Sequence, residues 1–304
     1  MEIHKIDKKV PSTDGVHTLS GVVYIPDGEI KGLFQVVHGM QEYIGRYDRF
    51  MRDIASDGYI VFGHDHLGHG KTAADDSELG FIAHENGWQY LVDDVNDFAN
   101  VIRREYGKDL PYILFGHSMG SFVVRLTAEK YDDYDKLIVM GTGGPNPAAG
   151  AGLAVIKLIK ATSGERHVSD TVEKLAFGSY NNRFEGETAH DWLSVNRENI
   201  KKYEADKYCT FRFTVSAMQD LVTMNISCNS KRWFSMINKE KPVLLVSGSD
   251  DPVGDYGKGV KTVCERLKEN GANVTMKLYD GLRHEILNED SYGDVLKDIL
   301  TFIH

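Results

Sequence analysis

Ser118 is the residue whose surroundings most clearly predict chemistry. It lies in the pentapeptide Gly-His-Ser-Met-Gly at residues 116–120, between an apolar run and a helix-like run. In such a strand–turn–helix context, a G-x-S-x-G serine is typical of a nucleophile held on a sharp turn. Side chains at Gly116 and Gly120 would crowd that turn, so the two glycines leave the hydroxyl clear of the backbone. The pattern predicts an exposed, strained serine.

A serine nucleophile needs a base and a carboxylate, and both follow downstream. The strand-like run 242–246 precedes Asp250 and Asp251, and the run 274–279 precedes His284. An imidazole can accept the serine proton and later donate it to a leaving alcohol. A carboxylate holds the tautomer of that imidazole. The chain order Ser, Asp, His is that of α/β-hydrolases and differs from the orders of chymotrypsin and subtilisin.

The chain resembles α/β-hydrolases of the monoacylglycerol lipase and lysophospholipase group. The stretches that carry the resemblance are residues 37–43, 45–47, 63–71, 116–120 and 248–251, and residues 191–214 are similar to the cap of bacterial members. The resemblance covers nearly the whole chain. It implies an α/β-hydrolase fold, a mostly parallel sheet flanked by helices with an inserted helical cap, and carboxylic ester hydrolysis.

The resemblance also assigns site residues. The family pattern Gly-x-x-Asp maps onto residues 248–251 and selects Asp251, and Pro252 favours the extended geometry of a side chain that projects from a strand end. Asp250 then reads as a solvated or turn-stabilising carboxylate, although it competes for the role. Backbone N–H groups of Met40 and Met119 are expected to form the oxyanion hole, Met40 by the resemblance and Met119 as the residue after the nucleophile.

Strand-like and helix-like segments alternate along the chain, which predicts a mostly parallel sheet with helices on both faces. The predicted strands are residues 19–25, 33–37, 59–64, 112–115, 137–140, 242–246 and 274–279, and residues 44–57, 88–106 and 122–131 are helix-like. Residues 26–28 carry a hairpin-turn signal between the first two strands. The α/β-hydrolase core is expected to comprise residues 1–144 and 236–304, and residues 145–235 a helical cap.

The most apolar cap segment, residues 151–159, has two interpretations. It packs onto the core, or it forms one wall of an acyl-chain channel, because ligand pockets are mostly apolar and often lie between domains. Six other side chains could line the same space or belong to the core: Phe177, Phe184, Trp192, Phe211, Phe213 and Met218.

Composition excludes several classes of partner. The net charge is −10 with no basic cluster, so nucleic acid is not expected to bind. The N-terminus lacks the apolar core of a signal peptide, and no run approaches the roughly 20 apolar residues of a membrane span. A local apolar patch on the cap could still touch lipid transiently. The scattered cysteines Cys209, Cys228 and Cys264 fit a reducing cytoplasm.

The remaining histidine and glycine motifs predict no metal and no cofactor. His64, His66 and His69 form H-x-H-x-x-H, but the metallo-hydrolase pattern has Asp where this chain has Gly68, and no later ligand series completes it. The segment is read as a turn that Asp65 stabilises. Residues 141–147 lack the spacing of nucleotide-binding loops. His38 is expected to shape its loop by hydrogen bonding, and His117 to be structural.

The sequence therefore predicts a cofactor-free serine ester hydrolase acting on esters with an apolar acyl group, such as a monoacylglycerol or a lysophospholipid. Two alternatives stay open. The same residues would serve a thioesterase or another acyl hydrolase, since the same attack cleaves all of these substrates. A catalytically silent binding protein on the hydrolase fold is the third hypothesis, and intact Ser118, Asp251 and His284 count against it.

Overall fold

A single sheet organises the molecule. The structure is a computed structural model that describes residues 2–184, 186 and 188–304. The sheet in these residues has the order β1-β2-β4-β3-β5-β6-β7-β8, parallel from β4 to β8, with β2 antiparallel to β1 and β4. Its strands are β1 (Ile3–Pro11), β2 (Thr18–Pro26), β3 (Gly32–Val37), β4 (Tyr59–His64), β5 (Tyr112–His117), β6 (Lys136–Met140), β7 (Val243–Gly248) and β8 (Val274–Tyr279).

The predicted hairpin at residues 26–28 is wrong. The chain does turn there, with Gly28 at φ +102°, but β2 pairs with β1 and β4, and β3 lies on the far side of β4. Strand β1 itself was not predicted. It is one of the two edge strands of the sheet, and most of its side chains are exposed, so it carries no apolar run that a sequence pattern could reveal.

Helices cover both faces of the sheet. Strand side chains alternate between two apolar clusters: Leu33 joins the one beneath α2, α3 and α9, and Phe34 the one beneath α1 and α10. The helices are α1 (Asp48–Ser56), α2 (Gly87–Tyr106), α3 (Met119–Tyr131), α4 (Ala149–Ser163), α5 (Asp170–Phe177), α6 (Arg197–Ala205), α7 (Val215–Cys228), α8 (Lys231–Met236), α9 (Lys258–Glu269) and α10 (Tyr292–Ile303). Single 3-10 turns occupy Ile44–Tyr47, Asp76–Glu78, Asp191–Leu193 and Ile286–Asn288.

The segment between β6 and β7 departs from the strand–helix alternation. Its described residues hold the five helices α4 to α8 and no strand. Helix α7 packs on α2 and α3 of the sheet layer as well as on α4. The division into a core (residues 1–144 and 236–304) and a cap (residues 145–235) stays a prediction. Within the described residues, no helix has both the length and the apolar character needed to cross a bilayer.

Candidate active site

The turn between β5 and α3 holds Ser118 in a strained conformation. Its φ and ψ are +54° and −121°, in a region that residues other than glycine rarely adopt. A Cβ at Gly116 would lie 2.3 Å from the carbonyl oxygen of Gly120, and a Cβ at Gly120 would lie 2.2 Å from that of Val37. Neither position accepts a side chain, so the backbone turns as sharply as the pentapeptide predicts.

His284 and Asp251 meet at the carboxyl ends of β8 and β7. Nδ1 of His284 lies 2.9 Å from Oδ2 of Asp251. A carboxylate only accepts hydrogen bonds, so Nδ1 carries the proton and a neutral ring keeps its lone pair on Nε2. Asp251 is fully buried and also accepts hydrogen bonds from Ser247 Oγ at 3.2 Å and the Val253 amide at 2.9 Å. Asp250 is exposed, so burial separates these two neighbouring candidates.

Ser118, His284 and the two methionines all line one cavity. Met119 is the first residue of α3, and amides in the first turn of a helix have no acceptor within it. Gly39, which precedes Met40, lies close to the nucleophile: a Cβ at Gly39 would be 2.8 Å from the Cβ of Ser118. The structure therefore brings all five predicted site residues to one place.

Sequence reasoning missed a buried carboxylate, Glu42, behind Ser118. Its Oε1 accepts hydrogen bonds from the Gly39 amide at 2.5 Å and the Tyr47 hydroxyl at 2.8 Å, and lies 3.0 Å from Nδ1 of His117. Nε2 of His117 lies 3.3 Å from the carbonyl oxygen of His284. Both ring nitrogens of His117 thus face acceptors, which is the arrangement of an imidazolium.

Burial and the neighbouring charges shift the pKa values of Glu42 and His117 in opposite directions. Burial alone would raise the pKa of Glu42, but the His117 hydrogen bond and the nearby charges of His117 and Arg46 hold that pKa well below its usual value. Burial would lower the pKa of His117, but the hydrogen bond and charge of Glu42 raise it. The two groups form a buried ion pair that joins the 38–42 loop to the end of β5.

A second buried ion pair anchors the loop that carries His284. Glu285 accepts hydrogen bonds from Arg46 at 2.5 and 2.8 Å and from Asn199 Nδ2 at 2.7 Å. Arg46 belongs to the stretch that carries the family resemblance, and Glu285 follows the predicted base directly. The separation of 239 residues between them gave the sequence no signal that they pair.

The histidines of the H-x-H-x-x-H motif pack behind the 38–42 loop. His38 uses Nδ1 toward the Gly39 carbonyl at 2.8 Å and accepts the His66 amide on Nε2 at 2.9 Å, so it shapes the loop by hydrogen bonding as predicted. Asp65 accepts the amides of Ile44 and Lys71, which stabilises the turn. Among the described residues, no group of three or more His, Cys, Asp or Glu side chains is arranged to hold a metal ion.

The cavity over Ser118 has a volume of about 1050 Å³. Helix α4 contributes Ala151, Gly152, Val155 and Ile156 to its wall, and Ile156 also belongs to the buried core, so both interpretations of this segment describe part of it. Two of the six side chains considered from the sequence, Phe177 and Trp192, line the cavity. Phe213 and Met218 lie in the core, and Phe211 packs against it.

The chain matches a known protein family over most of its length. The model of the family described as "Serine aminopeptidase, S33" matches residues 28–291. The chain belongs to this family. The S33 family match spans the candidate site from Gly39 to His284, and with it the whole segment between β6 and β7.

Several proteins similar to this S33 family member are lipases or esterases by name. A monoacylglycerol lipase of Mycolicibacterium smegmatis is 26% identical and covers 97% of this chain and 98% of its own. A mouse monoglyceride lipase is 26% identical over 91% of this chain and 84% of its own. The crystal structure of a thermostable carboxyl esterase from Bacillus coagulans superposes with a TM-score of 0.92 at 29% identity, covering 98% and 97% of the two chains. The protein has the α/β-hydrolase fold and is a carboxylic ester hydrolase.

Proposed function

We propose that Ser118, His284 and Asp251 are the catalytic triad of an enzyme that cleaves carboxylic esters with an apolar acyl group. The proposed substrates are monoacylglycerols, lysophospholipids or similar small esters. One observation carries the proposal: the strained serine and the carboxylate-bound histidine line the same cavity, whose walls include the apolar side of α4. Lipases of glycerol esters among the relatives support this choice of substrate.

Acylation begins when Oγ of Ser118 attacks the ester carbonyl carbon. Nε2 of His284 accepts the serine proton, because Nδ1 already carries the proton directed at Asp251. The carbonyl π electrons move to oxygen, and the amides of Met40 and Met119 donate hydrogen bonds to the oxyanion. When the intermediate collapses, the C–O bond to the alcohol breaks, and His284 gives its proton to the departing alcohol oxygen.

Deacylation repeats these steps with water as the nucleophile. His284 accepts a proton from water as the hydroxide forms its bond to the acyl carbon, and then returns a proton to Ser118 Oγ as the acyl–enzyme bond breaks. The products are a fatty acid and the regenerated serine. Every proton passes through one imidazole, so no metal or cofactor enters the proposed sequence of steps.

The cap segment is proposed to hold the acyl chain and to contact lipid transiently. Val155 of α4 lines the cavity while remaining 38% exposed, and Leu158 one turn further along is 66% exposed. An apolar surface that continues from the cavity wall to solvent suits a substrate drawn from a lipid phase. Leu175 of α5, 67% exposed and also lining the cavity, extends the same surface.

A fluorophosphonate probe tests the nucleophile. We expect the wild-type protein to form one adduct at Ser118, located by peptide mass spectrometry, and the Ser118→Ala variant to form none. Absence of an adduct in the folded wild-type protein would instead support a silent binding protein.

A substrate panel tests the acyl specificity. We expect hydrolysis of monoacylglycerols and of p-nitrophenyl esters of medium and long acyl chains, with weaker activity on acetyl esters. Activity confined to acetyl esters would contradict the acyl channel. Preference for thioesters of the same acyl chains over the oxygen esters would favour the thioesterase alternative.

A further inference from the structure

Gln41 occupies an unusual position beside the proposed oxyanion donor Met40. Its φ is +54°, in the left-handed region where residues other than glycine and asparagine are strained. Its side-chain amide donates a hydrogen bond to the carbonyl oxygen of Phe211, 170 positions downstream in the segment between α6 and α7. Gln41 also lines the cavity. A strained backbone persists where surrounding contacts hold it in place, and this hydrogen bond is such a contact.

The same part of the cap contacts the neighbouring residues of this loop. The Tyr43 hydroxyl donates to Asp206 at 2.9 Å, and Arg46 donates to Asn199 at 3.3 Å. The Phe211 ring also packs edge-on against His69, in the turn after β4, at 5.3 Å between ring centroids. Cap residues 199–211 therefore accept hydrogen bonds from three residues between Gln41 and Arg46. Of these three, Gln41 lies closest in sequence to Met40.

We propose that Gln41 is a positioning residue that ties the oxyanion donor to the cap. By holding the Phe211 carbonyl, its side chain fixes the backbone on one side of Met40, while Glu42 fixes the Gly39 amide on the other. The Met40 N–H is then correctly placed only when cap residues 199–211 are docked. The inference rests on the proposed function, because it presupposes that Met40 stabilises an oxyanion.

Accurate placement matters because an oxyanion donor acts over a narrow range of distance. Loss of one donor lowers kcat by about 10²- to 10³-fold in enzymes of this kind, and a misplacement of about 1 Å at a reacting centre costs about 10²-fold. A donor loosened rather than removed should lose part of this factor. The loss should appear in kcat, since the interaction strengthens as the oxyanion forms.

The Gln41→Gly variant separates an effect on the position of the Met40 N–H from an effect on the stability of the protein. Glycine adopts positive φ without strain, so the variant loses the tie to Phe211 while its backbone is relieved. We expect a thermal midpoint equal to or above that of the wild type, kcat on a p-nitrophenyl ester about 10- to 100-fold lower, and KM within about threefold. A purely structural residue would instead change activity in step with stability.

Gln41→Glu provides the second variant, because it keeps the length of the side chain and removes the N–H donor. We expect the same fall in kcat, together with a matching loss of affinity for an alkyl boronic acid, whose serine adduct is tetrahedral. The control is Glu165→Gln, which replaces the carboxylate of a cap-to-core contact with His84 at 2.9 Å by a neutral amide, outside the cavity lining. Its kcat and KM should equal those of the wild type.

The outcomes separate this inference from the proposed function. Wild-type kcat in both Gln41 variants, a change confined to KM, or a loss that matches the loss of folded protein would overturn the positioning role. A Ser118→Ala variant as active as the wild type would overturn the proposed function, and the positioning role with it. A Glu165→Gln variant as impaired as the Gln41 variants would also overturn the inference, by showing that any loosening of the cap has this effect.

Discussion

Asp250 and Asp251 are adjacent carboxylates with opposite environments, so they form a matched pair for mutation. Asp251→Asn replaces the partner of His284 with an amide that favours the wrong tautomer of the ring, and we expect kcat to fall by roughly 10³- to 10⁴-fold. Asp250→Asn changes an exposed side chain, and its kcat should stay within about twofold of the wild type. Ester hydrolysis at saturating substrate measures both. The reverse ranking would move the triad carboxylate to Asp250.

The candidate site shows what residue types and spacing can reveal. Ser118 and His284 follow from a turn motif and from chain order, and the family pattern singled out Asp251 over its neighbour. Glu42 and Glu285 could not be assigned roles in the same way. Their significance lies in partners far along the chain, and a glutamate that will be buried looks the same in sequence as one that will be solvated.

At the scale of elements, Glu42 and His117 join the loop after β3 to the end of β5. We expect Glu42→Gln to lower the free energy of unfolding by about 3–5 kcal/mol at pH 5.5, because removal of one partner leaves a buried charge uncompensated. Urea denaturation followed by circular dichroism measures this. The control Glu105→Gln removes an exposed ion pair with Lys8 and should cost less than about 1 kcal/mol.

The pH dependence of that difference follows from the two pKa shifts. The lowered pKa of Glu42 gives stability that is present above its ordinary value of 4.5 and is lost as the pH falls. The raised pKa of His117 gives stability that is present below its ordinary value of 6.5 and is lost as the pH rises through the folded-state value. The difference between wild type and Glu42→Gln should therefore be largest between about pH 4.5 and 6.5. A difference that grows steadily up to pH 9 would contradict the ion pair.

Helix α4 offers a direct test of the acyl channel. Gly152 lines the cavity, and a Cβ added there meets no atom within 4 Å, so Gly152→Phe should project into open space and shorten the channel. We expect the ratio of kcat/KM for dodecanoyl over butanoyl p-nitrophenyl esters to fall by about 10-fold or more, the effect of losing one to two kcal/mol of apolar contact.

The matched control for this variant lies two residues away. Gly150 is on the same helix, has the same open surroundings, and is absent from the cavity lining. Gly150→Phe changes helix propensity equally and should leave the chain-length ratio unchanged. Equal ratios in the two variants would mean that the acyl chain does not pass α4.

Strands that are buried on both faces were predictable from their apolar runs, and the edge strand β8 also lies where residues 274–279 were expected, whereas the exposed edge strand β1 was not predictable. Strands β3 to β7 are entirely or almost entirely buried and read as apolar runs, and the predicted helix at residues 88–106 is α2, whose apolar residues Leu91, Val95, Phe98 and Ile102 are all buried. Strand β1 joins the sheet through backbone hydrogen bonds to β2, and a pattern of side-chain types does not predict such pairing. The order of β3 and β4 in the sheet is likewise a long-range property, so a local turn signal at Gly28 pointed to the wrong neighbour.

At the scale of the whole molecule, the sheet brings remote segments of the chain together at the carboxyl ends of its parallel strands. The residues after β3, β5, β7 and β8 supply the proposed oxyanion loop, nucleophile, carboxylate and base in turn, as expected where parallel strands end together. The histidines at the end of β4 and just after it, His64, His66 and His69, are buried behind the oxyanion loop. Their burial makes the support of the active site sensitive to acid, because a buried imidazole that remains neutral in the folded state gains a proton on unfolding.

His64 isolates this effect in a single side chain. It is buried, its ring stacks on Phe98 at 4.9 Å between ring centroids, and neither ring nitrogen has a hydrogen-bond partner among the described residues. Burial lowers the pKa of His64 to about 3 from its ordinary value of 6.5. The imidazole is therefore neutral in the folded protein. Its contribution to the free energy of unfolding is fully present above pH 6.5 and is lost as the pH falls toward 3.

We expect His64→Phe to resist acid better than the wild type. Each proton taken up on unfolding adds a slope of about 1.4 kcal/mol per pH unit below 6.5, so the free energy of unfolding of the variant relative to the wild type should rise by about 1–2 kcal/mol between pH 7 and pH 5. The Phe98→Leu variant removes the stacking ring without changing a titrating group, so it should change the free energy of unfolding by the same amount at pH 7 and at pH 5. Parallel stability–pH curves for His64→Phe and the wild type would mean that His64 is already protonated in the folded protein, in conflict with its apolar surroundings.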